Sequence, residues 1–370
     1  MKKIFVLPFL SLFACSTAIE NQVSKTYAIE EIPISSEKLQ IEKVILLEGS
    51  GEEFLGAELK TLLTPEGIFV SNYDRPAFIH HFDRKGTYLG PIVKVGDGPG
   101  QVKRFEEFRV SGDSLLVNVG MGDHEELVYF SISGHEQLKK VETEASGFSF
   151  YPNSDGTFWF YSGLNRAVGD YRLQRLDAEG KISQKWMYND FSESLIPFME
   201  KSIFEGDERL LVRDPLFPIV NQIGTDTLEL AYQFDFGSYS LPAEIWEIED
   251  PMQWFERINS NGFGDLNKLF ENEDFFVGDF VFQRDRERSR KLLVINRRTE
   301  DARIYEVDEE KEPHYYSPIA LEGDHLLFIA YAPALIEVLE ELPASDEVKA
   351  QLKELKEESN PVIIYASLEK

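Results

Sequence analysis

Residues 114–141 read SLLVNVGMGDHEELVYFSISGHEQLKKV, and this stretch decides the fold. It contains three runs that are rich in β-branched and aromatic residues, which is typical of β-strands. A polar loop separates the first run from the second, and a tight turn at Gly134 separates the second from the third. The stretch therefore predicts three consecutive antiparallel strands.

The same unit recurs along the chain. It appears again at residues 67–92, 157–186 and 209–234, each time with a turn glycine before its last run. These glycines are Gly86, Gly134, Gly180 and Gly224, and successive ones are 48, 46 and 44 residues apart. One four-stranded propeller blade has about 40 to 50 residues, so the period indicates one blade per repeat.

Two further copies carry insertions. Residues 275–307 keep the order of the repeat, and HLLFIAYAP with NPVIIYASLEK supplies the last pair of strands. That last copy lacks an outer strand, which LQIEKVILLE at residues 39–48 can provide by pairing the two ends of the chain. We therefore predict an all-β fold: one six-bladed β-propeller over residues 39–370, closed by an N-terminal strand, with helical insertions at about 240–272 and 333–360.

The N-terminus predicts export and lipidation. Two lysines precede a short apolar run at residues 4–13, and the run ends in LFACS, which resembles a bacterial lipobox. We predict a signal peptide at residues 1–14, lipidated Cys15, and a tether over residues 15–38. Ser16 after the cysteine resembles lipoproteins that are sent to the outer membrane, with the periplasmic or the cell-surface side left open. An ordinary signal peptide, cleaved nearby, is the alternative.

Composition limits the classes of partner. The formal net charge is −28, so the bulk surface should repel nucleic acid, and we expect membrane contact only through the lipid on Cys15. Cys15 is the only cysteine, which fits an anchor better than a redox or metal group. The N-terminal run is too short to span a bilayer as a finished helix, and no other segment is long and apolar enough to be transmembrane.

The propeller topology predicts a ligand site at one mouth of the central channel. Loops between second and third strands emerge on the same face as the connectors between blades, such as VGDGPGQ at residues 95–101. This connector lacks the Gly-Lys-Ser/Thr ending of a phosphate loop, so we interpret it as a turn. Arginine is frequent in these loops and offers paired donors to anions. The predicted ligand-binding residues are Asp74, Arg75, Lys103, Arg104, His124, Arg166, Arg213, Asp214, Arg284 and Arg286.

Signals for catalysis and for metal binding are weak. His80 and His81 stand in a predicted strand, where packing is the simpler role, and the other histidines have no metal-ligand spacing. The sequence contains no Gly-x-Ser-x-Gly nucleophile elbow. We therefore predict no catalytic residue, no metal and no cofactor.

Three segments carry a resemblance to a known family. The lipobox, the GDGPGQ connector and YQFDFGSYSLP at residues 232–242 resemble the six-bladed β-propeller lipoproteins of Bacteroidota, which are related in shape to NHL-repeat propellers. The resemblance implies this fold and a location in the cell envelope. It implies no activity, so no catalytic residue is carried over.

Two hypotheses about function follow. We favour a non-catalytic envelope lipoprotein that binds an anionic small ligand, a glycan, a peptide or a partner protein on the loop face. The alternative is an envelope hydrolase or lyase with Asp74, Asp214 or Asp285 as the acid or base, which requires an inward-facing carboxylate pair or a metal.

Overall fold

The computed structural model describes residues 26–49, 51, 54–74, 76–121, 124–164, 166, 168–190, 202–315 and 317–368. Cys15, the predicted signal peptide and the first part of the predicted tether lie outside these residues. The strands are β1 (Thr26–Ala28), β2 (Gln40–Leu46), β3 (Leu59–Thr64), β4 (Gly67–Asn72), β5 (Phe78–Phe82), β6 (Tyr88–Lys94), β7 (Glu107–Ser111), β8 (Ser114–Gly120), β9 (Glu125–Ser131), β10 (Gln137–Thr143), β11 (Ser149–Pro152), β12 (Phe158–Tyr161), β13 (Tyr171–Leu176), β14 (Ile182–Tyr188), β15 (Ile203–Glu205), β16 (Leu210–Arg213), β17 (Ile219–Ile223), β18 (Leu228–Asp235), β19 (Phe263–Glu271), β20 (Phe275–Arg284), β21 (Glu287–Asn296), β22 (Ala302–Val307), β23 (Pro318–Glu322), β24 (His325–Ala330) and β25 (Val362–Ser367).

These strands form six small antiparallel sheets around one axis. Blades 1 to 5 each take four consecutive strands, from β3–β6 to β19–β22, with the first strand innermost. Blade 6 takes β23, β24 and β25, and β2 completes it by pairing antiparallel with β25. Each innermost strand contacts the innermost strands of both neighbouring blades, so the ring is closed. The prediction of a six-bladed propeller closed by residues 39–48 is confirmed.

The hydrophobic core lies between the blades. Side chains alternate along each strand, so one strand contributes to two interfaces. In β20, Phe275 and Val277 pack towards blade 6, whereas Phe276 and Phe280 pack towards blade 4. His80 and His81 are both buried, in agreement with the prediction that they pack.

The N-terminal segment folds against the outside of the ring and does not hang free. β1 pairs parallel with β18 at the edge of blade 4, which becomes five-stranded. Farther along, Ile304 in β22 donates to Pro33 O at 2.9 Å, and Ser35 N donates to Ile304 O at 2.7 Å. The prediction of a tether over residues 15–38 is therefore wrong from Thr26 onwards. The backbone of this segment forms hydrogen bonds with sheet edges that would otherwise be exposed. We call residues 26–46 the N-terminal belt.

Helices occur in both predicted insertions. α1 (Pro251–Asn261) lies between blades 4 and 5, and its N-terminus is capped by Asp250, whose side chain accepts from Gln253 N at 2.9 Å. α2 (Ala332–Glu337) and α3 (Asp346–Leu352) lie between β24 and β25. The first insertion ends at Gly262 and not at about 272, because β19 is a strand. A register shift in β19 interrupts the alternation of its side chains between the two faces, so the strand is not evident from the sequence.

The VGDGPGQ connector joins β6 to β7, as predicted, and folds around one side chain. Gln101 Oε1 accepts from Gly98 N at 3.1 Å, and Gln101 N donates to Gly98 O at 3.1 Å. Gly100 has a φ of 73°, a conformation that favours glycine. The loop thus uses its own amide groups to turn the chain between two blades.

Candidate functional site

A cavity of about 320 Å³ lies in the central channel. We call the face of the ring where the connectors between blades emerge the mouth face. Tyr73, in the loop after β4, and Glu106, in the connector before β7, both lie on this face, so the cavity reaches it. The cavity is lined by Leu59, Lys60, Thr61, Leu62, Tyr73, Glu106, Glu107, Phe108, Arg109, Phe148, Asn267 and Lys268. Most of these residues belong to the innermost strands β3, β7 and β19, which present alternate side chains to the channel.

Lys60, in β3, brings an ammonium group to the outer part of this cavity. Its Nζ donates to Glu106 O at 2.5 Å and lies 5.1 Å from the centre of the Tyr73 ring. Burial lowers the pKa of Lys60, although Glu106 and Glu107 act in the opposite direction. An ammonium has three donors, so a ligand can use those that Glu106 leaves.

Lys268, in β19, lies in the same cavity, and one blade separates its strand from β3 around the ring. Its Nζ donates to Pro318 O at 2.9 Å and to Ser317 Oγ at 3.3 Å, both neutral acceptors. Burial lowers the pKa of Lys268 to about 8; Asp279 partly opposes this effect and Arg290 adds to it. Among the described residues, no carboxylate lies within ion-pairing distance of Lys60 or Lys268.

The other charged side chains of the cavity are already paired. Arg109 is buried and its Nη2 lies 2.6 Å from Glu107 Oε1, while Glu107 Oε2 accepts from Phe150 N at 3.1 Å. At the rim, Glu106 Oε1 lies 3.1 Å from Nη2 of Arg104. The cavity lining thus has three cations against two carboxylates, in a chain with a net charge of −28. Because Glu107 pairs with Arg109 and Glu106 pairs with Arg104, the positive charges of the two lysines remain uncompensated.

Internal contacts occupy the charged groups of three predicted ligand-binding residues, Arg213, Asp214 and Arg284. Arg213 is fully buried, and its Nη1 donates to both oxygens of Asp265 at 3.0 and 3.2 Å. Asp214 is buried too: it accepts from the Tyr161 hydroxyl at 2.7 Å and pairs with Arg172 at 3.2 Å. Burial raises the pKa of Asp214, against the effect of Arg172. The prediction that Arg213 and Asp214 line the mouth is corrected, because these charges join neighbouring blades.

Arg284 holds the first insertion against blade 5. Its Nη2 donates to Ser238 O at 2.6 Å, its Nε donates to Asn261 O at 3.1 Å, and its guanidinium stacks over Tyr239. These contacts occupy the group that was predicted to bind a ligand. Its position at the end of β20 is as expected, but its role in the structure is to fix the insertion.

Six of the seven remaining predicted residues lie on loops of the mouth face. Asp74, Lys103, Arg104, Arg166 and Arg286 are exposed, and His124 is half-buried. Arg166 Nη2 donates to the Tyr188 hydroxyl at 3.3 Å, away from the cavity. Arg75 lies outside the described residues. Of the predicted set, only Arg104 is tied to the cavity lining, through Glu106, so ligand binding by the others stays a prediction.

The sequence interpretation missed the residues that line the channel. Lys60, Arg109 and Lys268 belong to innermost strands, which precede the three-strand runs that revealed the repeat. One signal could have found Arg109: FRVSGDSLLV places an arginine within an apolar strand just before a tight turn. A charged residue at such a position must either line a channel or find a buried partner.

Glu125 and Asn118 form a second polar cluster on the mouth face, between blades 2 and 3. Both bind one residue of a connector: Glu125 Oε1 accepts from Gly147 N at 3.1 Å, and Asn118 Nδ2 donates to Gly147 O at 2.9 Å. Their other oxygens, Oε2 and Oδ1, are buried without a hydrogen-bond partner among the described residues. Burial raises the pKa of Glu125 to about 7 against the opposing effects of Asn118 and the Gly147 N–H, and Glu106 contributes in the same direction as burial. The cluster holds the connector that leads to Phe148 in the cavity.

Within the described ranges, no group of three or more His, Cys, Asp or Glu residues is placed to hold a metal ion. In the same part of the chain, no helix has the length and apolar character to cross a membrane.

Comparisons with known proteins agree with the fold. The chain is similar to the crystal structure of a Bacteroides fragilis protein named "Putative exported protein", with a TM-score of 0.75 and 13% identity, over 91% of this chain and 98% of that chain. An uncharacterized protein of Listeria monocytogenes has a TM-score of 0.35 and 10% identity, over 75% of this chain and 78% of that one. Glutaminyl cyclase of Myxococcus xanthus has a TM-score of 0.32 and 12% identity, over 74% of this chain and 100% of that one. The last two are too dissimilar to support an argument.

Curated proteins provide no match to the chain. The likeness to the Bacteroides protein shows the fold alone, so the NHL relationship and the lipidation of Cys15 stay predictions. A family model described as "Domain of unknown function (DUF4934)" matches residues 34–367. Since this match includes the N-terminal belt from Ile34 onwards and all six blades, the chain belongs to the DUF4934 family.

Proposed function

We propose that this protein is a non-catalytic binding protein of the cell envelope, which holds a small anionic ligand, or the acidic group of a larger one, in the central channel. One observation carries the proposal: Lys60 and Lys268 line the same cavity, and neither has a carboxylate partner among the described residues. Both lysines are partly buried, and an ammonium in such a site without a counter-ion is costly, so an incoming anion reduces that cost.

The walls of the cavity favour a small ligand. Its volume of about 320 Å³ is near the lower end of ligand-binding pockets. Leu59, Leu62, Phe108 and Phe148 provide apolar surface beside the charges, and this surface strengthens the attraction of the lysines for an anion. An acidic metabolite fits these dimensions. A peptide or a glycan would enter with one acidic group only.

The strongly negative exterior makes the channel selective. Long-range repulsion disfavours large polyanions such as nucleic acids, while a local positive potential attracts a small anion that reaches the mouth. We therefore expect the affinity for a small anion to fall as salt is added, because salt screens exposed charges.

The binding experiment uses malonate, sulfate and glucuronate as probes and neutral glucose as a comparison, with titration calorimetry at low ionic strength. We expect at least one of the acids to bind, glucose not to bind, and Lys60→Met to weaken binding at least tenfold. Lys181→Met is the matched control, since Lys181 is exposed in a turn on the opposite face. Equal binding of glucose, or unchanged affinity of Lys60→Met, would contradict the proposal.

We place this protein in the outer membrane, attached through a lipid on Cys15. The lipobox-like LFACS supports the anchor, and the name of the similar Bacteroides fragilis protein supports export. Radiolabelled palmitate should enter the wild type but not Cys15→Ala, and only the wild type should fractionate with outer membranes. Equal labelling of both proteins would refute lipidation at Cys15.

A further inference from the structure

We propose that Lys268 is a site of reversible covalent capture, where its amine condenses with the aldehyde or ketone group of a small oxo acid that enters the channel. The inference rests on the proposed function, because the carboxylate of the oxo acid would use the same positive lining. It goes further by assigning a chemical group to the ligand and a reaction to one side chain.

The first support is the direction of the side chain. β19 pairs with β20, and the register shifts between Leu266 and Lys268, so Asn267 is the extra residue of a β-bulge. In a regular strand, two consecutive side chains point to opposite faces. Here Asn267 and Lys268 both line the cavity, because a bulge redirects side chains.

The second support is that the nearest carboxylate is already used. Asp279 is the cross-strand partner of Lys268, but Arg290 donates to its two oxygens at 2.6 and 2.9 Å. Asn267 donates to the same carboxylate at 2.9 Å. Asp279 therefore forms its ion pair with the Arg290 guanidinium and stabilises the Lys268 ammonium only from beyond ion-pair distance.

The third support is the hydrogen bonding of Nζ. Pro318 O and Ser317 Oγ are two neutral acceptors, which is the number that an uncharged amine can satisfy with its two N–H groups. The lone pair of such an amine is then left for a molecule in the cavity. A lysine without a counter-ion in a desolvated site is the usual arrangement of an imine-forming residue.

The pKa of about 8 agrees with this geometry. At pH 8 about half of the Lys268 side chains would carry a free amine, which is about 150-fold more than for a lysine with a pKa of 10.5. At pH 7 most of the group is still an ammonium, so it also contributes to the attraction of an anion.

The reaction balances without any further reagent. The amine nitrogen forms a bond to the carbonyl carbon, and the carbonyl oxygen gains a proton that the nitrogen loses. The resulting carbinolamine then loses its hydroxyl group with the remaining nitrogen proton as water, leaving an imine. Hydrolysis reverses both steps, and nothing is oxidised or reduced.

The experiment treats the full chain with glyoxylate and sodium cyanoborohydride, which reduces an imine to a stable secondary amine. Peptide mass mapping then measures the labelling rate of each lysine. We expect Lys268 to be labelled at least tenfold faster than exposed Lys181 at pH 7.5, with a rate that rises around pH 8. Labelling no faster than that of Lys181, or a pH midpoint near 10, would overturn the proposal.

A second carbonyl compound separates this proposal from the proposed function. Propanal has no carboxylate, so its reaction with Lys268 depends on the amine alone. We expect Lys60→Met to slow labelling by glyoxylate more than labelling by propanal, because only glyoxylate carries a carboxylate. If both compounds label Lys268 equally fast in the wild type, covalent capture holds and anion selection fails. If neither labels it while malonate binds, anion binding holds and covalent capture is refuted.

Discussion

Replacing Glu125 by glutamine should stabilise the protein at pH 8 and should change its stability little at pH 4.5. The carboxyl group is buried beside Asn118, with one oxygen bonded to Gly147 N and the other without a partner. A glutamine keeps the acceptor for Gly147 and replaces the unpartnered oxygen by an N–H donor. That donor suits the Asn118 oxygen, which also lacks a partner among the described residues.

The magnitude follows from the pKa. Burial raises the pKa of Glu125 from 4.5 to about 7, so the folded protein holds this proton more tightly than the unfolded chain. Its contribution to stability is therefore fully present below pH 4.5 and is lost as the pH rises through 7. At 1.36 kcal/mol per pH unit the loss is at most about 3.4 kcal/mol. Because the side chain keeps some solvent contact, we expect about 2 kcal/mol.

Urea denaturation of the wild type and Glu125→Gln at pH 4.5, 6 and 8 measures this effect. The free energies of unfolding should be similar at pH 4.5 and should diverge progressively, with the variant about 2 kcal/mol more stable at pH 8. Glu179→Gln, an exposed change in a turn on the opposite face, is the control. A difference that does not depend on pH, or a variant less stable at pH 8, would refute the reasoning.

Three further changes test the architecture. Arg213→Met leaves a buried carboxylate without its partner and should cost about 3 to 5 kcal/mol in urea denaturation, whereas exposed Arg286→Met should change stability by less than about 0.5 kcal/mol. Trp254→Ala empties the centre of the first insertion, so amide exchange there should accelerate while the blades stay protected. A chain starting at Glu48 lacks the outer strand of blade 6 and should aggregate on size-exclusion chromatography, whereas one starting at Thr26 should remain monomeric.

The blade pattern was readable from the sequence because it is local. Each blade repeats strands and turns within about 50 residues, so turn glycines such as Gly134 and Gly180 reveal the period. Ring closure was readable too, because the strand ILLE near residue 46 and the last strand VIIYA both carry the apolar pattern of a blade. Pattern and topology together determined the number of blades.

The rest depends on contacts between distant residues. β1 pairs with β18 through its backbone groups and packs Tyr27 against Phe234, but TYA at residues 26–28 has no pattern that predicts such a strand. Arg213 was interpreted as a ligand-binding residue because its partner Asp265 belongs to another blade. Lys268 was missed because a bulge, which no residue type announces, turns its side chain towards the channel.

The N-terminal belt sets the order in which this molecule can be completed. Gln40 pairs with Ser367, so blade 6 is complete only after two segments that are far apart in the sequence have met. Until then, blade 6 exposes an unpaired edge and the ring can open. Pairing between such distant residues is slow, so we expect blade 6 to form last and the ring to close late in folding.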